Sequence, residues 1–178
     1  MQIKNSSNHY GLVAIMLHWV MAIIIIGLLC LGLYMTGLPT SPQKIKFYGW
    51  HKEFGALVFM LAALRILWYV ANIKPSLSML NTLERFGARA AHWALYGFMF
   101  ALPLTGWLMS SASGFPVSFF GLFILPDLIA PNDEARHLFA QIHEWLAYGL
   151  IAIIILHVLA ALKHYLIDRD DILQRMLP

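Results

Sequence analysis

Four stretches of this chain stay apolar for longer than a bilayer is thick, and prolines, asparagines and charges collect in the breaks between them. The first, residues 11–37, has His18 as its only basic or acidic side chain. Its 27 residues exceed the roughly 20 that an α-helix needs to cross a membrane. It is too long for the apolar core of a secretory signal and lacks a small-residue cleavage site, so it is expected to remain as the first span. The same criterion predicts spans at 48–71, 88–112 and 138–167. A further apolar stretch, 115–129, carries Pro116, Gly121 and Pro126 and falls short of a span. An interfacial or re-entrant segment between helices 3 and 4 is expected there. Pro103 followed by Gly106 is expected to bend the third helix. The predicted fold class is all-α: an integral membrane four-helix bundle, one domain over residues 1–178.

Composition agrees, with 60% hydrophobic and 12% charged residues and a mean hydropathy of +0.69, far from soluble domains. Four spans put both termini on one side. Sorting the cations by that topology places Lys4, Arg65, Lys74, Arg85, Arg89, Lys163, Arg169 and Arg175 with the termini, against Lys44, Lys46, Lys52 and Arg136 opposite. Cytoplasmic segments carry the excess of Lys and Arg, so the termini are expected in the cytoplasm. This topology accounts for the net charge of +3, and no nucleic-acid motif appears. Cys30 is the only cysteine, which excludes an intramolecular disulfide, a thiolate iron–sulfur site and covalent haem attachment through paired cysteines.

The candidate chemistry lies in histidines. His18, His51, His143 and His157 each sit in an apolar helical stretch with a small residue four positions on: Ala22, Gly55, Ala147 and Ala161. Positions i and i+4 share a helix face. A flat macrocycle hung from an axial imidazole needs the neighbouring turn cleared of bulk, and the pattern predicts two bis-histidine haems. The other histidines lack it: Tyr96 follows His92, Gln141 follows His137, Asp168 follows His164, and His9 precedes the first apolar run.

Depth sorts the four into pairs. Helix 1 runs outward, so His18 lies roughly 10 Å from its inner end. Helices 2 and 4 run inward, placing His51 and His143 near the outer rim and His157 toward the inside. Equal depths pair His18 with His157 and His51 with His143. The two histidines of helix 4 are fourteen residues apart, a rise of about 21 Å and within about 40° of whole turns.

Other uses of an intramembrane imidazole stand beside this one. Interhelical hydrogen bonds employ polar side chains in membrane bundles. Zinc also takes neutral imidazole, but its structural sites need four protein donors, and the nearby carboxylates, Glu53 and Glu144, are confined to the outer rim. Polar groups in hydrocarbon are costly and mark function; four of them matched in depth favour haem.

Several motifs run in the same order: His18-Trp19, then His51-Lys52-Glu53-Phe54-Gly55, then the stretches 65–68, 89–96 and 101–107. The final block is the most specific: His143-Glu144-Trp145, His157, Ala160-Ala161-Leu162-Lys163-His164-Tyr165, Asp170-Asp171 and Arg175-Met176-Leu177. Through them the chain resembles the bacterial cytochrome b-561 family over residues 10–177. The resemblance implies a multi-pass protein of the bacterial inner membrane with two non-covalent haem b groups ligated at His18, His51, His143 and His157. It further implies electron exchange with quinones such as ubiquinone, in a family that includes a superoxide oxidase taking electrons from periplasmic superoxide.

Haem propionates are anionic and turn toward the membrane surfaces. Arg65, Arg89, His92, Lys163 and His164 are candidates to meet them on the inner side, and Lys52, Lys46 and Trp50 on the outer. For His92 and His164 a quinone is the other expected contact, and for every cation ordinary snorkelling is the plain alternative. The segment 115–131 is expected to shield the outer haem with Phe119, Phe120 and Phe123. Lys44, Lys46, Lys52 and Arg136 are expected to line an opening that draws in an anion. Expected partners are the lipid bilayer, a quinone, an electron donor, and a second copy or a redox subunit. The rival readings are a haem-bearing anchor subunit of a dehydrogenase or hydrogenase, which would purify with its partner, and a colourless transporter bundle.

Overall fold

The computed structural model describes residues 2–76 and 80–177. Four long helices dominate it: α1 (Leu12–Thr36), α2 (Pro42–Ala71), α3 (Thr82–Ala112) and α4 (Asp133–Lys163). A small antiparallel hairpin, β1 (Ser118–Phe119) and β2 (Phe123–Ile124), sits between the last two.

Three helices begin five or six residues ahead of their apolar runs, and polar first turns are the reason. Ser41 caps α2, its hydroxyl accepting from the Lys44 N–H at 3.2 Å, with Pro42 opening the first turn. Asn81 and Glu84 form a reciprocal capping box at the start of α3. Asn132 accepts from the Ala135 N–H at 2.8 Å, and Asp133 and Glu134 follow where the helix dipole favours negative charge. An apolar run measures the part of a helix that suits lipid, whereas a cap decides where the helix starts.

The segment after α3 turns through Phe120 and Gly121, with φ of 50° and 72°. Glycine adopts that left-handed conformation freely, while Phe120 is held in it by edge contacts with Phe54 and Phe119 at 5.2 and 5.0 Å. The fold is all-α as expected, and the two short strands form a small hairpin in the stretch where an interfacial or re-entrant segment was expected.

α3 packs most extensively on α4, α1 on α2 and α2 on α3, with no comparable contact between α1 and α4 among the described residues. The central core joins Met21, Val58, Ala62 and Met99, flanked by Ile25, Leu28, Leu61, Tyr96 and Phe100. One end of the bundle is closed by three segments. The Asn5 side chain donates to the Ile73 carbonyl at 2.9 Å. Arg175 donates to the Ser76 carbonyl at 2.7 Å, and the Trp19 indole donates to the Met176 carbonyl at 2.8 Å. The chain thus passes from α4 through a π-turn, His164–Asp168, into a strap that returns to α1.

α1, α2 and the helical segment Asp133–Asp168 are each long and apolar enough to cross a membrane. α3 matches α4 in length, with 31 residues each. Its apolar character is diluted by Glu84, Arg85 and Arg89 at the start and by Pro103, Thr105, Ser110 and Ser111 further on. Large apolar side chains face outward all round, Trp145 at 75% exposure and Val70 at 74%. Such a surface suits lipid chains rather than water.

Candidate cofactor-binding site

His18 of α1 faces His157 of α4 with ring centroids 6.3 Å apart and planes at 36°. His51 of α2 faces His143 of α4 at 6.2 Å and 72°. A coordinating imidazole nitrogen stands about 2.0 Å from its metal with the ring centre about 1.1 Å behind it, so two opposed ligands have centroids roughly 6.2 Å apart. Both pairs have that spacing. The four rings are half-buried, and each pair bridges helices with little other contact.

The His51–His143 pair opens onto a cavity of about 1390 Å³ whose lining includes Gly32, Gly55, Gly106 and Ala147. Ordinary small-ligand sites hold roughly 300–1,000 Å³, so the space suits a large, flat group. A Cβ added at Gly55 would meet nothing within 4 Å, so the turn beside His51 is open. Two other glycines are seats rather than clearances. A Cβ at Gly32 would lie 3.3 Å from His51 Cε1, and one at Gly106 would lie 3.2 Å from His143 Cε1.

His143 Nδ1 lies 3.0 Å from the Leu102 carbonyl oxygen and 3.1 Å from Thr105 Oγ1. A carbonyl only accepts, so Nδ1 carries the proton and Nε2 keeps its lone pair for a metal. Nδ1 of His18 and of His51 is buried with no hydrogen-bond partner among the described residues. An opposed pair beside a cavity lined by glycine, and the same ring spacing repeated at the second pair, fit axial ligation of haem.

A third imidazole joins the His18–His157 pair: His92 of α3 stands 5.8 Å from His157, at 64°. Arg65 lies 5.8 Å over the ring of Tyr96, on the helix turn after His92. Arg89 is exposed. Lys163 and His164 are committed to an ion-pair cluster at the end of α4. Lys163 reaches Glu84 at 2.9 Å and Asp168 at 2.6 Å, and His164 reaches Asp170 at 2.7 Å. The Lys163 ammonium holds the Glu84 carboxyl below the usual carboxylate range. Arg175 does the same for Asp171.

The cations expected around the outer opening are divided among several tasks. Lys52 lines the cavity, and its ammonium bonds Ser110 Oγ at 3.2 Å and the Pro116 carbonyl at 3.1 Å, tying α2 to the root of the hairpin. Lys44 caps the end of α1 through the Leu38 carbonyl at 2.6 Å. Lys46 lies 4.9 Å over Trp50. Arg136 lines the cavity while paired with Asp133 at 3.2 Å. Phe119 and Phe123, stacked at 5.0 Å, also line it.

Gly32, Leu102, Thr105 and Gly106 have no histidine at helical spacing, because each touches an imidazole carried by another helix. The sequence signal nearest to them is the Pro103 and Gly106 pair, which composition alone reads as a bend.

A family profile described as prokaryotic cytochrome b561 matches residues 9–178. Cytochrome b561 homolog 2 of Escherichia coli (strain K12) is 37% identical over 185 residues, covering 99% of this chain and 95% of that protein. Cytochrome b561 homolog 1 of the same organism is 30% identical over 177 residues, covering 96% and 98%. The probable superoxide oxidase CybB of Yersinia pestis is 26% identical over 170 residues, covering 95% and 96%.

Proposed function

Because this chain belongs to the prokaryotic cytochrome b561 family, a family of membrane electron-transfer proteins with b-type haem, we propose that it holds two haems and relays electrons between the two faces of a bacterial inner membrane. His18 and His157 are the axial ligands of the inner haem, and His51 and His143 those of the outer. The observation that carries this reading is the repeated imidazole spacing, 6.3 and 6.2 Å, at two levels of one helix.

In this reading α3 is the fourth crossing. The termini are cytoplasmic, a placement that the distribution of Lys and Arg supports. Each haem supplies a one-electron iron couple, whose potential is set by its ligands and surroundings. The chain contributes the rest: α4 presents both inward-facing ligands, Gly32 and Gly106 seat the outer pair, and the core of Met21, Val58, Ala62 and Met99 keeps water from the space between the sites. The acceptor is the quinone pool, meeting the inner site near His92 and Arg65. The donor acts at the outer face, and the name of the Yersinia pestis relative points to superoxide.

The test is direct. Superoxide generated enzymatically beside the oxidised, purified protein should reduce its haem, and superoxide dismutase should abolish the reduction. Haem that stays oxidised under superoxide yet is reduced by a quinol excludes that donor.

A further inference from the structure

One turn of α3 is built around a single imidazole. Pro103 lies inside the helix and has no N–H to give to its ladder. The Leu102 carbonyl just before it faces His143 Nδ1 at 3.0 Å. Thr105 Oγ1 stands 3.1 Å from the same nitrogen and 2.9 Å from the carbonyls of Ala101 and Leu102. Its one hydroxyl hydrogen serves those carbonyls, which leaves an oxygen lone pair for the His143 N–H. Gly106 completes the turn, since a Cβ there would stand 3.5 Å from Nδ1. The partner ligand has no such seat: among the described residues His51 Nδ1 is buried without a partner, and so is Nδ1 of His18 in the other pair.

We propose that Thr105, together with the Leu102 carbonyl, is a positioning residue that makes the two haem sites unequal by hydrogen-bonding one ligand of the outer site only. The inference rests on the two-haem reading. An imidazole whose second nitrogen donates to an acceptor is more basic toward its metal and is fixed in tautomer and ring orientation. A more basic ligand favours ferric iron over ferrous. The seat therefore lowers the potential of the haem held by His51 and His143 relative to the same site without it, and it resists rotation of the His143 ring.

The experiment is an optical redox titration of the purified full chain carrying Thr105→Val or Thr105→Ser, beside the unchanged protein. His51→Ala identifies the outer haem as the one it loses; if it loses neither, the two-haem reading fails and not this inference alone. Thr105→Val, nearly isosteric but without the oxygen, is expected to raise the midpoint of the outer haem and leave the inner one in place. Thr105→Ser, which restores the oxygen, is expected to return the outer midpoint toward that of the unchanged protein. Selective loss of the outer haem from Thr105→Val, with retention in Thr105→Ser, also supports the proposal. It is overturned by unchanged midpoints, by a fall, by equal shifts at both sites, or by Thr105→Ser behaving as Thr105→Val does. Loss of both haems from Thr105→Val overturns it too, since the residue would then serve the bundle as a whole.

Discussion

Gly32 and Gly106 stand where a methyl group would press on an imidazole at 3.3 and 3.2 Å. The contact is too tight to absorb without moving the ring, and overpacking of this kind costs about 1–3 kcal/mol. Gly32→Ala and Gly106→Ala are each expected to weaken haem retention at the His51–His143 site and leave the His18–His157 site filled. Haem-to-protein ratios after extended dialysis check this, and equal losses from both sites would refute it. The pairing histidines were legible in the sequence because each lies on one helix with a small residue four positions on. Gly32, Thr105 and Leu102 were not, because a contact between helices leaves no period in the chain. His92 shows the same limit: Tyr96 at i+4 sets it apart from the four, yet its ring lies within 5.8 Å of His157.

At the scale of elements, each helix was legible from its apolar run, while its first turn had to be read from caps such as Asn81 with Glu84. The hairpin was obscured by its own composition. Residues 115–129 are apolar enough to suggest an interfacial or re-entrant segment, and the left-handed turn at Phe120 and Gly121 that reverses the chain leaves no hydrophobic period. The strap after α4 carries a pH prediction. Arg175 holds the Asp171 carboxyl below its usual 3.8, so the pair contributes stability that is fully present above that value and is lost as pH falls through the lowered pKa. Asp171 keeps 39% of its side chain exposed, and solvent screening there makes the contribution small. Hydrogen-exchange protection of residues 170–177, taken relative to the intrinsic rate at each pH, is expected to fall below about pH 4, and to be lowered at neutral pH by Asp171→Asn. Protection in that segment that is indifferent to both would remove Asp171 from its anchorage.

For the whole molecule, the arrangement of the helices explains where a cofactor fits. Extensive packing runs along the chain order, α1 on α2, α2 on α3 and α3 on α4. The imidazole pairs instead join α1 to α4 and α2 to α4, across the gaps that this order leaves. The four long helices were legible from four apolar runs, and three of them are long and apolar enough to cross a membrane. The gaps were not, since they follow from which helix faces touch. The account is tested most directly by the pyridine haemochrome content of the purified chain and of four variants, His18→Ala, His51→Ala, His143→Ala and His157→Ala. It predicts two b-type haems per chain, with His51→Ala and His143→Ala losing the same one and His18→Ala and His157→Ala losing the other. A single haem per chain, or four variants that all keep two, would contradict it.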